Sequence, residues 1–229
     1  MKAFVIRLNG VEESERLADD CIASGHEHGL TIEKFDGVYG LDSIQQAMQD
    51  LNVKPFSAKM KKDRLGVKGC FLSHYSLWIR SLKTNESIVV FEHDGMMLRP
   101  LPPNIEEMFD EFLLLDPYNK FTGNYGEQHR LDYRHPFVIK EYSSPESRKK
   151  YGISAEYAMG LQAYVIKPKA AQKLIDSISI TGFFPADMQC NKDIVNLQTI
   201  YPSVASVNKI FYKNASLMHE LSTTQKKWI

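Results

Sequence analysis

The chain has 229 residues, of which 43% are hydrophobic and 11% aromatic, enough to bury the core of one full-sized domain. Its formal net charge is zero, so the bulk charge does not call for a nucleic-acid or anionic-membrane partner. Cys21, Cys70 and Cys190 form no CxxC pair, which favours a reducing compartment. Because no stretch resembles a signal peptide or a membrane span, we expect a cytoplasmic protein, at most peripheral to a membrane.

Strands and helices alternate through the first half of the chain. Apolar runs predict strands over residues 2–8, 30–35 and 87–91, and helical patterns cover residues 12–24, 43–51 and 69–82. We expect Gly25 to end the first helix and Asp42 or Ser43 to cap the second. Residues 57–68 are polar and basic and predict a mobile loop. The alternation of strand and helix is typical of a parallel α/β sheet.

The second half is less regular. The pattern predicts a short helix over residues 105–115, a strand over 163–166 and a helix over 169–177 entered after Pro168. Residues 121–125 are a candidate strand, and residues 193–197 are a candidate segment leading into 200–204. Residues 128–151 are polar, aromatic and ambiguous, as an acceptor loop or lid would be.

Polar residues follow three of the predicted strands, as Leu8-Asn9, Asp36-Gly37 and Glu92-His93-Asp94. Ligands of open α/β sheets bind beyond the carboxyl ends of the strands, so we expect these groups to converge on one edge. Carboxylates two residues apart project to the same side of an extended chain, where their repulsion is costly unless a cation lies between them. This stretch therefore predicts either a divalent-metal site or an ordinary strand end whose acids are solvated.

Four stretches, in order along the chain, resemble glycosyltransferase family 25, which contains lipooligosaccharide galactosyltransferases and related collagen-modifying domains. They are the N-terminal strand leading to Arg16, GVKGCFLSHYSLW at residues 66–78, IVVFEHDGMM at residues 88–97, and GLQAYVIKPKAAQKLI at residues 160–175 followed by FPAD at 184–187. The resemblance covers most of the chain, up to about residue 190. It implies an α/β single domain of the GT-A fold with a mostly parallel central sheet, a nucleotide-sugar donor and usually Mn²⁺ or Mg²⁺.

By this resemblance Asp94 is the direct metal ligand, and Glu92 assists directly or through water. A metal that bridges the two phosphates of the donor stabilises the charge on the leaving group. The chain departs from the family pattern at His93, where an aspartate is usual, at Arg7, where an asparagine is usual, and at Lys68, close to a usual glutamate. We hypothesise that Arg7 and Lys68 compensate near the diphosphate for a weakened metal site.

The resemblance also suggests roles for residues around the donor and the acceptor. The donor-binding candidates are Arg7, Leu8, Asn9, Arg16, Asp36, Gly37, Lys68, Ser73, His74, Glu92 and His93. Asp187 is the candidate general base for the acceptor hydroxyl, and a turn or helix-cap aspartate is the alternative. Residues 1–98 would form the nucleotide-sugar and metal half, and residues 99–229 the acceptor half. Members of the family invert the anomeric centre, which implies one displacement without a covalent intermediate.

The implied acceptor is a hydroxyl of a bacterial surface glycan, such as a lipooligosaccharide. One alternative is the same chemistry on hydroxymethylated bases of DNA, by a phage-type enzyme in the host cytoplasm. Residues 116–229 carry 15 Lys/Arg against 10 Asp/Glu, which permits DNA binding but falls short of the basic surface of a duplex binder. A second alternative is a sugar-nucleotide-binding protein that has lost catalysis, suggested by His93. A phosphoester hydrolase ranks lower, since no second His/Asp cluster accompanies these carboxylates.

Overall fold

A seven-stranded mixed sheet forms the centre of the protein in a computed structural model that describes residues 1–55, 65–116, 136–143 and 156–208. The sheet strands are β1 Lys2–Arg7, β2 Ile32–Asp36, β3 Ile88–Glu92, β5 Phe112–Leu114, β6 Val138–Glu141, β7 Ala163–Ile166 and β8 Leu197–Tyr201. Their order is β2-β1-β3-β7-β5-β8-β6, and a separate two-stranded sheet joins β4 Gly95–Met97 to β9 Ala205–Val207. Pairing is parallel for β2-β1-β3 and β5-β8, and antiparallel around β7 and at β6, so five strands share one direction.

Helices cover both faces of this sheet. They are α1 Glu12–Glu27, α2 Leu41–Asp50, α3 Leu65–Thr84, α4 Ile105–Met108, α5 Pro168–Thr181 and α6 Ala186–Gln189. Alternate residues of the strands enter two separate cores, one beneath α2, α3 and α5 and the other beneath α1 and α4. Trp78 and Phe71 of α3 are fully buried in the first core, and Phe91 of β3 in the second. The expected α/β single-domain architecture, with a mostly parallel sheet, is confirmed.

The largest wrong prediction is the helix over residues 105–115. Helix α4 ends at Met108, and Phe112–Leu114 forms β5 between β7 and β8. A short apolar run fits a helix and a buried strand equally well in sequence, and here the buried position between two strands decides. β4 was not predicted, and the segments expected at 193–197 and 200–204 are replaced by β8 and β9.

Two expected helix boundaries are also wrong, the end of the first helix and the start of the second. Helix α1 continues past Gly25 to Glu27, and the glycine is favoured inside the helix because a Cβ there would lie 2.9 Å from the backbone carbonyl oxygen of Leu30. Helix α2 is preceded by Gly40 at φ 86° and has no side-chain cap, so neither Asp42 nor Ser43 has that role.

Several predicted segments fall wholly or partly outside the described residues. The candidate strand at 121–125 lies outside them, as do most of 128–151 and residues 57–64 of the predicted loop. Residues 65–68 belong to the first turn of α3, and Val138–Glu141 within the ambiguous stretch is β6. Among the described residues, none of the helices is both long and apolar enough to cross a bilayer.

Candidate functional site

The carboxyl ends of β1, β2 and β3 lie side by side at one edge of the sheet. In the parallel register Arg7 is paired with Asp36, and Ile6 with Glu92. Asn9, the Asp36-Gly37 turn and the Glu92-His93-Asp94 stretch therefore emerge at the same edge. The structure brings together the three polar groups that follow the first three strands.

Two glycines let helix α3 pack tightly against this edge. A Cβ on Gly69 would lie 2.5 Å from the carbonyl oxygen of Val38, and a Cβ on Gly37 would lie 3.3 Å from the Ser73 hydroxyl oxygen on α3. The hydroxyl of Ser73 accepts a hydrogen bond from the Val38 amide at 2.8 Å and donates one to the Gly69 carbonyl at 2.7 Å. Ser73 therefore joins α3 to the loop after β2, and its hydroxyl hydrogen is used inside the fold.

A buried chain of hydrogen bonds runs from the core to Glu92. Trp78 Nε1 donates to the hydroxyl of Tyr164 at 3.0 Å, and that hydroxyl lies 2.9 Å from His74 Nδ1. His74 Nε2 lies 3.2 Å from Glu92 Oε1. The arrangement that suits an ionised Glu92 has Tyr164 donating to Nδ1 and Nε2–H donating to the carboxylate. We call these four side chains the Trp78–Glu92 relay; it fixes the position of Glu92 at the end of β3.

His93 faces the opposite helix layer. Its Nδ1 lies 3.0 Å from the hydroxyl of Ser14 on α1, which accepts a hydrogen bond from the Leu8 amide at 2.8 Å. Burial lowers the pKa of His93 below its ordinary value, although the charges of Glu92 and Glu13 oppose this. His93 is thus a neutral side chain that ties the ends of β1 and β3 to α1.

The two carboxylates at the end of β3, Glu92 and Asp94, have different electrostatic environments. Burial raises the pKa of Asp94 to about 7, and the negative charges of Glu92 and Asp116 contribute. Burial also opposes ionisation of Glu92, but the hydrogen bond from His74 favours the ionised form, and the pKa of Glu92 is lowered. Asp94 Oδ1 is buried and has no hydrogen-bond partner among the residues that the structure describes. One acid is thus held ionised, and within the described ranges no positive charge acts to favour ionisation of the second.

Asp116, Cys70 and Tyr164 belong to this site and were missed from the sequence. Asp116 comes two residues after β5, which ends at the same edge as β3 because it runs in the same direction. Glu92 was selected because polar residues at the carboxyl end of a predicted strand are site candidates. The same criterion would have selected Asp116 if residues 112–114 had been assigned as a strand. Cys70 precedes His74 by one helical turn, a spacing visible in sequence. No local sequence pattern indicates that Tyr164 contacts His74, since 90 residues separate them along the chain.

Asp187 lies within electrostatic reach of the same cluster. Burial raises the pKa of the Cys70 thiol well above its ordinary value, and the charges of Glu92, Asp187 and Asp94 raise it further. Asp187 is in the single-turn helix α6, where its Oδ1 accepts the amide hydrogen of Met188 at 2.9 Å. The charge of Asp187 thus acts on the same thiol as the charges of Glu92 and Asp94.

The predicted basic residues have different surroundings. Arg7 forms ion pairs with Glu15 and, at 2.8 Å, with Asp36, and it donates to Asn9 Oδ1 at 2.8 Å. Its charge is therefore already balanced by two carboxylates. Arg16 is on the exposed side of α1, paired with Glu13 at 2.5 Å and with Asp20 at 3.0 Å. Lys68 is partly buried in the first turn of α3.

This donor set fits a hard divalent cation. The buried, unpartnered Oδ1 of Asp94 and the ionised Glu92 offer carboxylate oxygens, the ligands that Mn²⁺ and Mg²⁺ prefer. A cation here would also offset the mutual repulsion of Glu92, Asp94 and Asp116. The residues at this edge therefore fit a divalent cation.

Comparison with known proteins is consistent with this arrangement. Residues 1–190 match the model of a family described as "Glycosyltransferase family 25 (LPS biosynthesis protein)". A protein of Anopheles gambiae described as "Glycosyltransferase 25 family member" is 23% identical over 168 residues, which are 69% of this chain and 26% of that protein. The matched region thus spans about a quarter of the length of that relative.

Proposed function

Because this chain belongs to glycosyltransferase family 25, we propose that it transfers a sugar from a nucleotide-sugar donor to a hydroxyl acceptor, using a divalent cation held by Asp94 and Glu92. The observation that carries the proposal is the buried Oδ1 of Asp94, which lacks a hydrogen-bond partner among the described residues. A buried polar atom without a partner is costly, and a cation is the ligand that would compensate it best beside Glu92 and Asp116.

The chain's own residues would position the donor. Glu92, oriented by the relay through His74, and Asp94 would hold the cation. The Asp36-Gly37 turn, fixed by the bond from the Gly37 amide to the Arg7 carbonyl at 2.8 Å, would contact the nucleoside. When bound, Mn²⁺ or Mg²⁺ would stabilise the charge that develops on the departing diphosphate.

Asp187 would be the general base. As the acceptor oxygen forms its bond to the anomeric carbon, the bond from that carbon to the diphosphate oxygen breaks, and Asp187 takes the proton of the acceptor hydroxyl. A single displacement inverts the anomeric centre. The charges of Asp187, Glu92 and Asp94 all act on the Cys70 thiol, which supports this role because it indicates that Asp187 lies in the same region as the proposed cation ligands.

A thermal-shift panel tests the donor site. Nucleoside diphosphates and nucleotide-sugars are added with and without Mn²⁺ to the wild type, Asp94→Asn and Asp176→Asn, whose carboxylate is exposed on α5. We expect one base to stabilise the wild type and the control only with metal, and Asp94→Asn to lose the effect. Stabilisation by nucleotide that is the same with and without Mn²⁺, and the same in Asp94→Asn as in the wild type, would refute the metal site.

The acceptor is proposed to be a glycan hydroxyl. Donor turnover in the presence of surface glycans, of hydroxymethylated duplex DNA and of water alone separates the possibilities. The proposal is supported if the wild type transfers sugar to a glycan and if Asp187→Asn abolishes this transfer while donor binding stays intact. Transfer to DNA instead would assign the alternative acceptor, and donor binding without transfer or hydrolysis would mark a non-catalytic protein.

A further inference from the structure

Three potential metal ligands of unlike chemistry lie together beside the proposed donor site. Cys70 and His74 are one turn apart on α3, and Glu92 comes from the end of β3. One ligand atom of each, the Cys70 Sγ, a His74 ring nitrogen and a Glu92 carboxylate oxygen, lies within 4.8 Å of the others. The Cys70 thiol has no part in the glycosyl-transfer scheme, which uses oxygen ligands, so its presence in this cluster requires a separate account.

The chemistry of the three ligands points to a softer ion than Mn²⁺. A thiolate, an imidazole and a carboxylate are ligands that tetrahedral zinc takes, and three protein ligands leave a fourth position open. His74 Nε2 and Glu92 Oε1, at 3.2 Å, are already about as close as two ligands of one such ion. Cys70 and Glu92 are only partly buried, so a cation can reach them from solvent.

The surroundings of His74 suit a ligand as well. Histidines that bind metals usually have the second ring nitrogen hydrogen-bonded to a fixed partner, which sets the ring orientation. Here Nδ1 meets the hydroxyl of Tyr164, which is held by Trp78 Nε1, and Nε2 is aimed at Glu92. The tyrosine oxygen has two lone pairs, so it can accept both Trp78 N–H and, after a tautomer change, His74 Nδ1–H.

We propose that Cys70, His74 and Glu92 form a binding site for a thiophilic divalent cation of the Zn²⁺ class, and that its occupation withdraws Glu92 from the manganese site. Binding releases the thiol proton of Cys70 to solvent, while His74 stays neutral with its proton on Nδ1. The withdrawal of Glu92 rests on the proposed function, because it requires Glu92 to bind the donor metal. The existence of the Cys70–His74–Glu92 site does not depend on that function. The predicted consequence is inhibition by zinc through a residue that the transfer reaction does not use.

Cobalt absorption tests the site without any assumption about activity. Co²⁺ bound to a thiolate gives a charge-transfer band in the near ultraviolet, which carboxylate and imidazole ligands alone do not produce. We expect the band in the wild type and in Cys21→Ala, which removes a buried thiol on α1, and its loss in Cys70→Ala. A wild type without the band, or a band that survives in folded Cys70→Ala, would overturn the proposal.

A second measurement uses only the wild type and so does not depend on the variants folding. Cys70 is partly buried, whereas Cys21 and Cys190 are fully buried, so an alkylating reagent should modify Cys70 first in the native protein. We expect one equivalent of Zn²⁺ to slow that modification at least tenfold, as mapped by peptide mass spectrometry, and Mg²⁺ to leave it unchanged. Equal rates with and without Zn²⁺ would contradict the site.

Competition tests the link to the donor site. In the thermal-shift panel, Zn²⁺ should suppress the Mn²⁺-dependent stabilisation by nucleotide in the wild type and in Cys21→Ala. In Cys70→Ala the same suppression should require a Zn²⁺ concentration at least tenfold higher. Equal suppression in Cys70→Ala would refute the sharing of Glu92. If no nucleotide stabilises the protein with Mn²⁺, the proposed function fails, and the cobalt band still decides whether the thiophilic site exists.

Discussion

Replacing Tyr164 by phenylalanine removes a single oxygen from the middle of the sheet, yet we expect it to be among the costlier conservative substitutions. The hydroxyl contacts Trp78 Nε1 and His74 Nδ1, and all three side chains are buried. Leaving a buried polar group without a partner costs about 1–3 kcal/mol. His74 cannot repair its side by a tautomer change, because Nε2 would then place a lone pair against the Glu92 carboxylate.

The substitution leaves two buried groups, Trp78 Nε1 and His74 Nδ1, without a hydrogen-bond partner. Removing the hydroxyl also removes the cost of burying it, so we expect a net loss of about 3 kcal/mol in the free energy of unfolding. For a chain of this length that corresponds to a fall in Tm of about 6–12 °C. Urea unfolding followed by circular dichroism measures the free energy directly. The matched control is Tyr75→Phe, also buried on α3, for whose hydroxyl the described contacts include no hydrogen bond. We expect that control to change stability by about 0.5 kcal/mol or less. A Tyr164→Phe protein as stable as Tyr75→Phe would refute the relay.

Three further substitutions give distinct outcomes. Above pH 7, Asp94→Asn should raise the free energy of unfolding of the metal-free protein by about 1–3 kcal/mol, because it removes a buried carboxylate that lies near other acids. A free energy from urea unfolding that is unchanged or lower would contradict this. Gly69→Ala should destabilise despite its gain of about 1 kcal/mol in helix propensity, because the Cβ would lie 2.5 Å from the Val38 carbonyl; a higher Tm would show that α3 can move away. Glu111, although burial alone would raise its pKa, has a pKa below the ordinary 4.5 because Lys173 donates to it at 2.6 Å. Its contribution to stability is therefore present above pH 4.5 and is lost as the pH falls through the lowered pKa, so Glu111→Gln should flatten the acid side of the stability curve, and identical curves would be the contrary result.

The sequence predicts the first half of the fold well because its signals are local. The apolar runs of β1 and β3 and the polar residues that follow them appear in consecutive residues, and neighbouring parallel strands bring those residues to one edge. The alternation of strands and helices therefore predicted where the carboxylates lie, although not what they bind.

The remainder depends on partners far away along the chain. Residues 112–114 become a strand because β7 and β8, encoded more than 45 residues later, provide its hydrogen bonds. That one wrong assignment also hid Asp116, whose significance comes from following a strand. Tyr164 shows the same limit, since it is one apolar-looking residue of a buried strand until α3 brings Trp78 and His74 against its hydroxyl.

Arg7 illustrates a different limit of sequence reasoning. A basic residue at the end of β1 suggests a diphosphate contact, and in the fold its side chain forms ion pairs with Glu15 from α1 and Asp36 from β2. Residue type alone predicts that a guanidinium will find an anion, and it leaves open whether that anion belongs to a ligand or to the protein. A contact of Arg7 with the diphosphate therefore stays a prediction.

The reversed direction of β7 has a consequence for how such an enzyme can diversify. Because β7 runs against its neighbours, the segment that enters it, rather than the one that leaves it, lies at the edge where β3 ends. There the Gln162 carbonyl accepts the Glu92 amide at 3.0 Å, and a Cβ on Gly95 would lie 2.6 Å from the same oxygen. Insertions or replacements upstream of β7 would therefore change what faces the acidic pair, while β1, β2 and β3 keep their register. Sequence changes in that segment can alter one side of the candidate site while the residues that β1, β2 and β3 contribute stay in place.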